Sequence, residues 1–305
     1  MVIIDMRPEK IDFANELPVR TFVRCIEHYP YHWHDALEII WVLKGSVNIS
    51  IGSDDLLMNE NDIAIINMDE LHRIEGNRQD NQVFLIQIDS GFYRSILQDN
   101  RYFFIYCCST YHESEAPEKY KKLKKYIAQL IWELNKRSFV DYKKSIGNTL
   151  TAMLQYITYN FDFLRWGAGT EEFDEKHVDR LKQMAEHISS DYTSNPGLKT
   201  LATEADISLQ HLSTDIKSKF RLTFQELLCY SKCEHAAKLL LSTDERIVDI
   251  ALKCGFSDVK YLIKHFKMNF RCKPSEFRKM YRADVKILSS CLLYDDYPLL
   301  MQLNI

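Results

Sequence analysis

The 305-residue sequence has eight cysteines but no CxxC pair, and none of its Cys/His spacings is that of a zinc finger or ribbon. A structural zinc fold is therefore not expected, and several of the thiols fall on apolar helical stripes, as core cysteines do. No apolar run reaches the roughly 18 residues of a membrane span. The C-terminal stretch ILSSCLLYDDYPLLMQLNI is apolar, but Asp295, Asp296 and Pro298 interrupt it. No apolar leader opens the chain, so a reducing cytoplasm is the expected setting. GxGxxG, P-loop and nucleophile-elbow motifs are all missing, so we expect no enzyme, no catalytic residues and no cofactor. Nor is there an excess of positive charge. The net charge is −4, which taken alone argues against a nucleic-acid partner.

The distribution of charge reverses that argument. Residues 1–173 hold 19 Lys/Arg and 25 Asp/Glu, whereas residues 199–282 hold 16 and 10. A chain of this length suits two domains, and an acidic module joined to a basic one fits a DNA reader with a separate control domain.

The basic half contains two copies of one pattern. Ile247, Ile250, Ala251 and Cys254 recur at helical spacing, and Gly255 follows where a helix stops in the left-handed conformation. Ser257 or Asp258 can cap a second helix. There Leu262 and Phe266 face inward, while Lys260, Ile263, Lys264 and Lys267 share another face, preceded by Val259. Upstream, Leu198, Leu201, Ala202 and Ala205 form a first apolar stripe, and Asp206 and Ile207 make the turn. Ser208 caps a helix with Leu212 and Ile216 inward and Gln210, Ser213, Thr214 and Lys217 outward. An apolar helix, FQELLCYSKCEHAAKLLL, joins the two units with Leu227, Tyr230, Cys233, Ala237 and Leu240 on one stripe. A packed helix with a basic free face is what a major groove accepts.

The pieces KCEHAAKLLLSTDERIVDIALKCGFSDVKYLIKHFK and PSEFRKMYR resemble the DNA-binding domain of the AraC/XylS family of transcription regulators. The resemblance implies two helix-turn-helix units reading successive major grooves of promoter DNA, with RNA polymerase and a second copy of the chain as further partners. It also implies DNA-binding roles for Gln210, Ser213, Thr214, Lys217, Val259, Lys260, Ile263, Lys264 and Lys267. Family members usually carry Gly just after each recognition helix, where this chain has Arg221 and Arg271. At φ > 0, Arg costs roughly 1 kcal/mol relative to Gly.

From Arg20 to Ile88 short β-branched runs dominate: RTFVRCIE, EIIWVLKG, VNISIG, DIAIIN and VFLIQID, separated by turn signals. They predict a sandwich or barrel of jelly-roll type. His32 and His34 alternate onto one face, Glu38 and Gly45 follow, and His72 comes later. This HxHxxxE…G…H order resembles the cupin motif, although Asn67 and Glu70 stand where cupins often have Pro and Gly. Such a set could ligate a transition metal, hydrogen-bond a polar ligand, or tie strands together. The resemblance to AraC-type sensor domains implies an organic effector, such as a carbohydrate, and no resident metal. Arg24, His32, Trp33, His34, Glu38 and His72 are its expected contacts, with Trp33, Tyr29 and Tyr31 placed to stack on a sugar ring.

Two amphipathic helices are predicted over 118–137 and 141–164. They can pack on the barrel or, as the resemblance implies, form a dimer interface. WGAGTEEFD (166–174) reads as a linker, and DEKHVDRLKQMAEHISSDY as the helix that opens the DNA-binding domain. The expected fold is thus α+β and multidomain. A cupin-like jelly-roll barrel with a helical hairpin spans 1–165, an all-α double helix-turn-helix spans 175–283, and a tail spans 284–305.

Overall fold

The computed structural model describes residues 9–13, 16–51, 54–77, 80–96, 116–135, 141–161, 197–204, 207–220, 223–282 and 293–294. Two antiparallel sheets face each other. One has the order β6-β3-β8-β1-β9, built from β1 (Val19–Arg24), β3 (Leu37–Lys44), β6 (Ile63–Ile66), β8 (Gln82–Ile88) and the short β9 (Leu293–Tyr294). The other has the order β2-β7-β4-β5, from β2 (His28–His32), β4 (Ser46–Ile51), β5 (Asp54–Asn59) and β7 (His72–Gly76). This is the jelly-roll arrangement that the β-branched runs predict.

Alternation decides which face of β3 does what. Ile40 and Val42 enter the core between the sheets, with Ile49, Met58, Ile74 and Leu85. Leu37, Ile39 and Trp41 point the other way, toward two long helices. These are α2 (Pro117–Leu134) and α3 (Tyr142–Asn160), which follow the short α1 (Ser90–Ile96). Tyr120, Leu123, Ile127 and Leu130 of α2 and Ile146, Leu150, Met153 and Ile157 of α3 are buried against that sheet. The apolar stripes of the hairpin therefore serve barrel packing. Each such side chain contributes roughly 1.5–3 kcal/mol by leaving water.

The C-terminal region is helical: α4 (Leu198–Glu204), α5 (Leu209–Phe220), α6 (Phe224–Ser242), α7 (Ile247–Lys253), α8 (Val259–Phe270) and α9 (Pro274–Tyr281). A capping box between Thr223 and Glu226 starts α6. Its first turns join the core of the first unit, where Leu228 meets Leu201, Leu212 and Ile216. Its last turns join the second, where Cys233, Ala237 and Leu240 meet Ile250, Leu262 and Phe266. One helix thus links both units. The expected linker at 166–174, the helix after it, and all of the 284–305 tail except Leu293–Tyr294 lie outside the described residues. Among the described residues no helix is long and apolar enough to cross a membrane.

The barrel and the second helix-turn-helix unit also touch. Tyr31, Trp33 and Leu71, from the ends of β2 and the start of β7, join the cluster formed by α6 to α9. The Leu71 amide donates to Glu234 Oε1 at 3.1 Å.

Candidate functional site

The second unit forms as its sequence dictates. At the end of α7 the Phe256 amide reaches the Ala251 carbonyl at 2.9 Å and the Gly255 amide reaches Leu252 at 3.0 Å. Gly255 sits at φ +72°. This pair of bonds is the helix stop that a left-handed glycine permits. The buried Lys232 of α6 donates to the Gly255 carbonyl at 2.8 Å and fixes the turn from below. Burial lowers its pKa. Asp258 then caps α8, accepting from the Lys260 amide at 2.8 Å.

Leu262 and Phe266 are fully buried, and Lys260, Lys264 and Lys267 are exposed, as periodicity requires. Ile263 is half-buried. Val259 leans on the core of the unit rather than standing free on the outer face, so the apolar part of that face centres on Ile263. In the first unit, Ser208 caps α5 through the His211 amide at 3.1 Å. Gln210, Ser213, Thr214 and Lys217 share its exposed face, with Leu212 and Ile216 buried behind them. The Thr214 hydroxyl donates to the Gln210 carbonyl at 2.9 Å, which leaves its oxygen free only as an acceptor. Arg271 ends α8 at φ +57°. Its guanidinium lies 3.8 Å from Asp55 of β5.

In the barrel the structure brings His32, His34, His72 and Glu38 together, all at most 5% exposed. His32 ends β2 and pairs in register with His72, the first residue of β7. Glu38 of β3 shares its inward face with Ile40 and Val42. The Glu38 oxygens lie 3.4 Å from His34 Nε2 and 3.6 Å from His72 Nε2. One ring nitrogen from each histidine lies within 4.8 Å of the others.

Every imidazole is oriented by its own backbone. Nδ1 of His32 meets the Pro30 carbonyl at 2.9 Å, that of His34 the Ala36 carbonyl at 3.0 Å, and that of His72 the Glu70 carbonyl at 2.8 Å. A carbonyl only accepts, so Nδ1 carries the hydrogen in each ring and Nε2 presents a lone pair. Nε2 of His34 and of His72 is buried without a hydrogen-bond partner. Asn67 and Glu70, the departures from the cupin pattern, build the turn that delivers His72. The Asn67 amide and side chain both donate to Glu70 Oε2 at 3.0 Å.

Burial, then the nearness of His72 and His34, pushes the His32 pKa well below its ordinary value. Burial also works against a charged His34, but the Glu38 carboxylate outweighs it and the net shift is upward. Burial alone would raise Glu38. His34 and His72 beside it instead hold it well below the usual carboxylate range. The Nε2 lone pairs of His34 and His72 and the Glu38 carboxylate repel unless a cation lies among them. A proton on His34 is one such cation and a divalent transition metal is another. Neutral imidazoles with one carboxylate form a donor set of that metal class, and the three Nδ1 contacts are the outer hydrogen bonds such ligands use.

Two further residues complete the site, and local sequence does not reveal them. Gln87 stands opposite Glu38 in the β3–β8 register and donates to it at 2.7 Å. Glu9 lies 3.6 Å from His32 and accepts from the Tyr29 hydroxyl at 2.8 Å. A cavity of about 10 Å³, roughly one water in size, is lined by Glu9, Arg24, Tyr29, His32, Glu38 and Gln87 among others. Arg24 and Tyr29 line this cavity. Trp33 and Tyr31 do not line it. The alternation that turns His32 and His34 inward turns these two outward, into the cluster shared with the DNA-binding domain.

The family described as an AraC-like ligand binding domain matches residues 26–146, and a helix-turn-helix domain matches residues 201–280. An uncharacterized HTH-type transcriptional regulator of Staphylococcus aureus is 25% identical over 249 residues, which is 80% of this chain. The chain spans only 31% of that relative's length. The HTH-type transcriptional regulator YdeC of Bacillus subtilis is 22% identical over 274 residues, covering 87% of this chain and 93% of YdeC. Among solved structures, ToxT of Vibrio cholerae is similar at 18% identity and a TM-score of 0.47, over 87% of this chain and 99% of that one. The chain thus carries an AraC-like ligand binding domain followed by a helix-turn-helix domain, the two-domain arrangement of the AraC family.

Proposed function

We propose that this regulator reads promoter DNA with α5 and α8 and is controlled by a cationic effector, a divalent transition-metal ion, held by His32, His34, His72 and Glu38. The observation that carries the reading is the fixed orientation of three buried imidazoles. Each donates Nδ1 to its own backbone, and Nε2 of His34 and His72 lies beside Glu38 while that of His32 lies beside Glu9. The ion serves as a signal, and no catalytic step is involved. Gln210, Ser213 and Thr214 of α5, with Lys260, Ile263 and Lys264 of α8, meet base edges. Lys217 and Lys267 meet phosphates. RNA polymerase, a second copy of the chain and a cytoplasmic setting complete the proposal.

The test is calorimetric titration of chelator-treated full-length protein with zinc(II) or cobalt(II), paired with metal analysis. One ion per chain is expected, with binding weakened at least a hundredfold in His72→Ala. Absence of binding in the wild type refutes the reading. A small polar organic effector, such as a sugar, is the second reading. It is favoured by Arg24, whose guanidinium Nε is buried beside the cavity without a hydrogen-bond partner. The two readings differ in whether His72→Ala or Arg24→Ala abolishes the response.

A further inference from the structure

The five-stranded sheet ends on β9 rather than on β1, and β9 comes from the far end of the chain. β1 pairs with β8 along its whole length, from Val19↔Ile88 to Arg24↔Val83. On its other side Val23 pairs antiparallel with Tyr294, and Arg24 with Leu293. Of two consecutive antiparallel pairs, one exchanges both of its N–H···O bonds. Residues that follow both helix-turn-helix units thus close part of the outer edge of a barrel strand.

That edge needs cover. β1 reads VRTFVR, a β-prone strand whose outer side, without β9, offers a row of amides and carbonyls to any other chain. Charge is its other guard, since the guanidiniums of Arg20 and Arg24 lie over the Phe22 ring at 4.9 and 4.7 Å. The tail sequence complements this strand. It has no Lys or Arg after Lys286, and Asp295 and Asp296 follow directly on β9.

We infer that the outer edge of β1 is a strand-docking site for the chain's own C-terminal tail, and that Leu293–Tyr294 shield it from pairing with a second copy. Main-chain hydrogen bonds to an open sheet edge supply the attraction, with opposite charges in the two segments. The reach within one chain is sufficient. Tyr281 at the end of α9 lies 5.0 Å, centroid to centroid, from Tyr31 of β2, and β2 follows β1 after residues 25–27. Residues 283–292 then provide ten links, enough to span about 35 Å when extended. The docking uses neither the histidine site nor the DNA-facing helices, so it stands or falls apart from the reading of either.

The experiment is residue-resolved hydrogen exchange on the full chain, wild type against Leu293→Pro/Tyr294→Pro. Proline at both positions removes both tail donors. The outward amide of the Val23–Arg24 pair should exchange about tenfold faster in the variant, with β3 and β4 unaltered. Equal exchange at Val23 and Arg24 would overturn the inference. Val23→Cys/Tyr294→Cys places two thiols on facing residues, within disulfide reach. After air oxidation of mixed isotope-labelled and unlabelled chains, both halves of the cross-linked peptide should carry the same label. Mixed labels would put the tail on another copy and overturn the inference as well. Sedimentation of the proline variant at micromolar concentration should show species larger than those of the wild type, and identical distributions refute the shielding.

Discussion

Arg271→Gly asks what a non-glycine residue does at the end of a recognition helix. Arg271 occupies the left-handed region at φ +57°, where an L residue costs roughly 1–2 kcal/mol. Glycine removes that strain but frees the unfolded chain, which costs about 0.4–1 kcal/mol. The ion pair with Asp55 is exposed on both sides, and such pairs contribute little. The net expectation is a stabilisation of about 0.7 kcal/mol. For a helical domain of this size that corresponds to roughly 3–6 °C in Tm. Calorimetric melting of the full chain reads it directly. A Tm lowered by more than 2 °C would show that Arg271 makes contacts worth more than its strain. The same variant also separates two uses of the guanidinium. If it serves only the Asp55 contact, DNA affinity rises on its loss. If it also meets a phosphate, affinity falls and the salt slope flattens by about one.

Gln210→Ala should change sequence preference by roughly 1–3 kcal/mol at one base pair, measured by competition among single-substituted duplexes. Equal weakening on all sequences would make Gln210 a backbone contact. Lys217→Ala and Lys267→Ala should each reduce the log–log salt slope by about one unit without changing preference, and unchanged slopes in both would place these lysines away from DNA. At Gly76 a Cβ would lie 1.9 Å from the Ile26 carbonyl oxygen, so Gly76→Ala should destabilise the barrel by about 1–3 kcal/mol in denaturant melts. An unaltered midpoint refutes that close approach. Glu38→Ala should abolish the effector response in DNA titrations, and an intact response would move the effector elsewhere.

Much of this was legible in the chain because the signals are local. The stop at Gly255, the caps at Ser208 and Asp258, and the buried pairs Leu212/Ile216 and Leu262/Phe266 each need fewer than ten consecutive residues to be read. The hairpin stripes were equally plain, since 3.6-residue periodicity survives over α2 and α3. The second sheet was harder. β2 (HYPYH) and β5 (DDLLMN) lack β-branched runs, because their stability comes from pairing with β7 and β4 rather than from intrinsic preference. Gln87 was invisible for the same reason, since only the β3–β8 register sets it against Glu38. Trp33 is the instructive miss. A tryptophan between two inward histidines invites a stacking role, yet the two-residue period that turns His32 and His34 inward turns Trp33 outward.

That same period explains why one short segment makes two sets of contacts. A residue pattern that alternates ligand donors with large apolar side chains commits a strand to two partners at once, one inside the barrel and one outside it. Neither partner can be satisfied without fixing the backbone for the other. At the end of β2 the inner residues are imidazoles and the outer ones are Tyr31 and Trp33. At the start of β7 His72 is flanked by Leu71 and Arg73, both turned to the helical domain. The Asn67–Glu70 turn then gains a reason beyond its departure from the cupin pattern. Its Glu70 carbonyl orients the His72 ring, while the next carbonyl upstream, at Asp69, receives Lys238 from α6. Adjacent carbonyls of one turn thus meet the His72 ring on one side and Lys238 of α6 on the other.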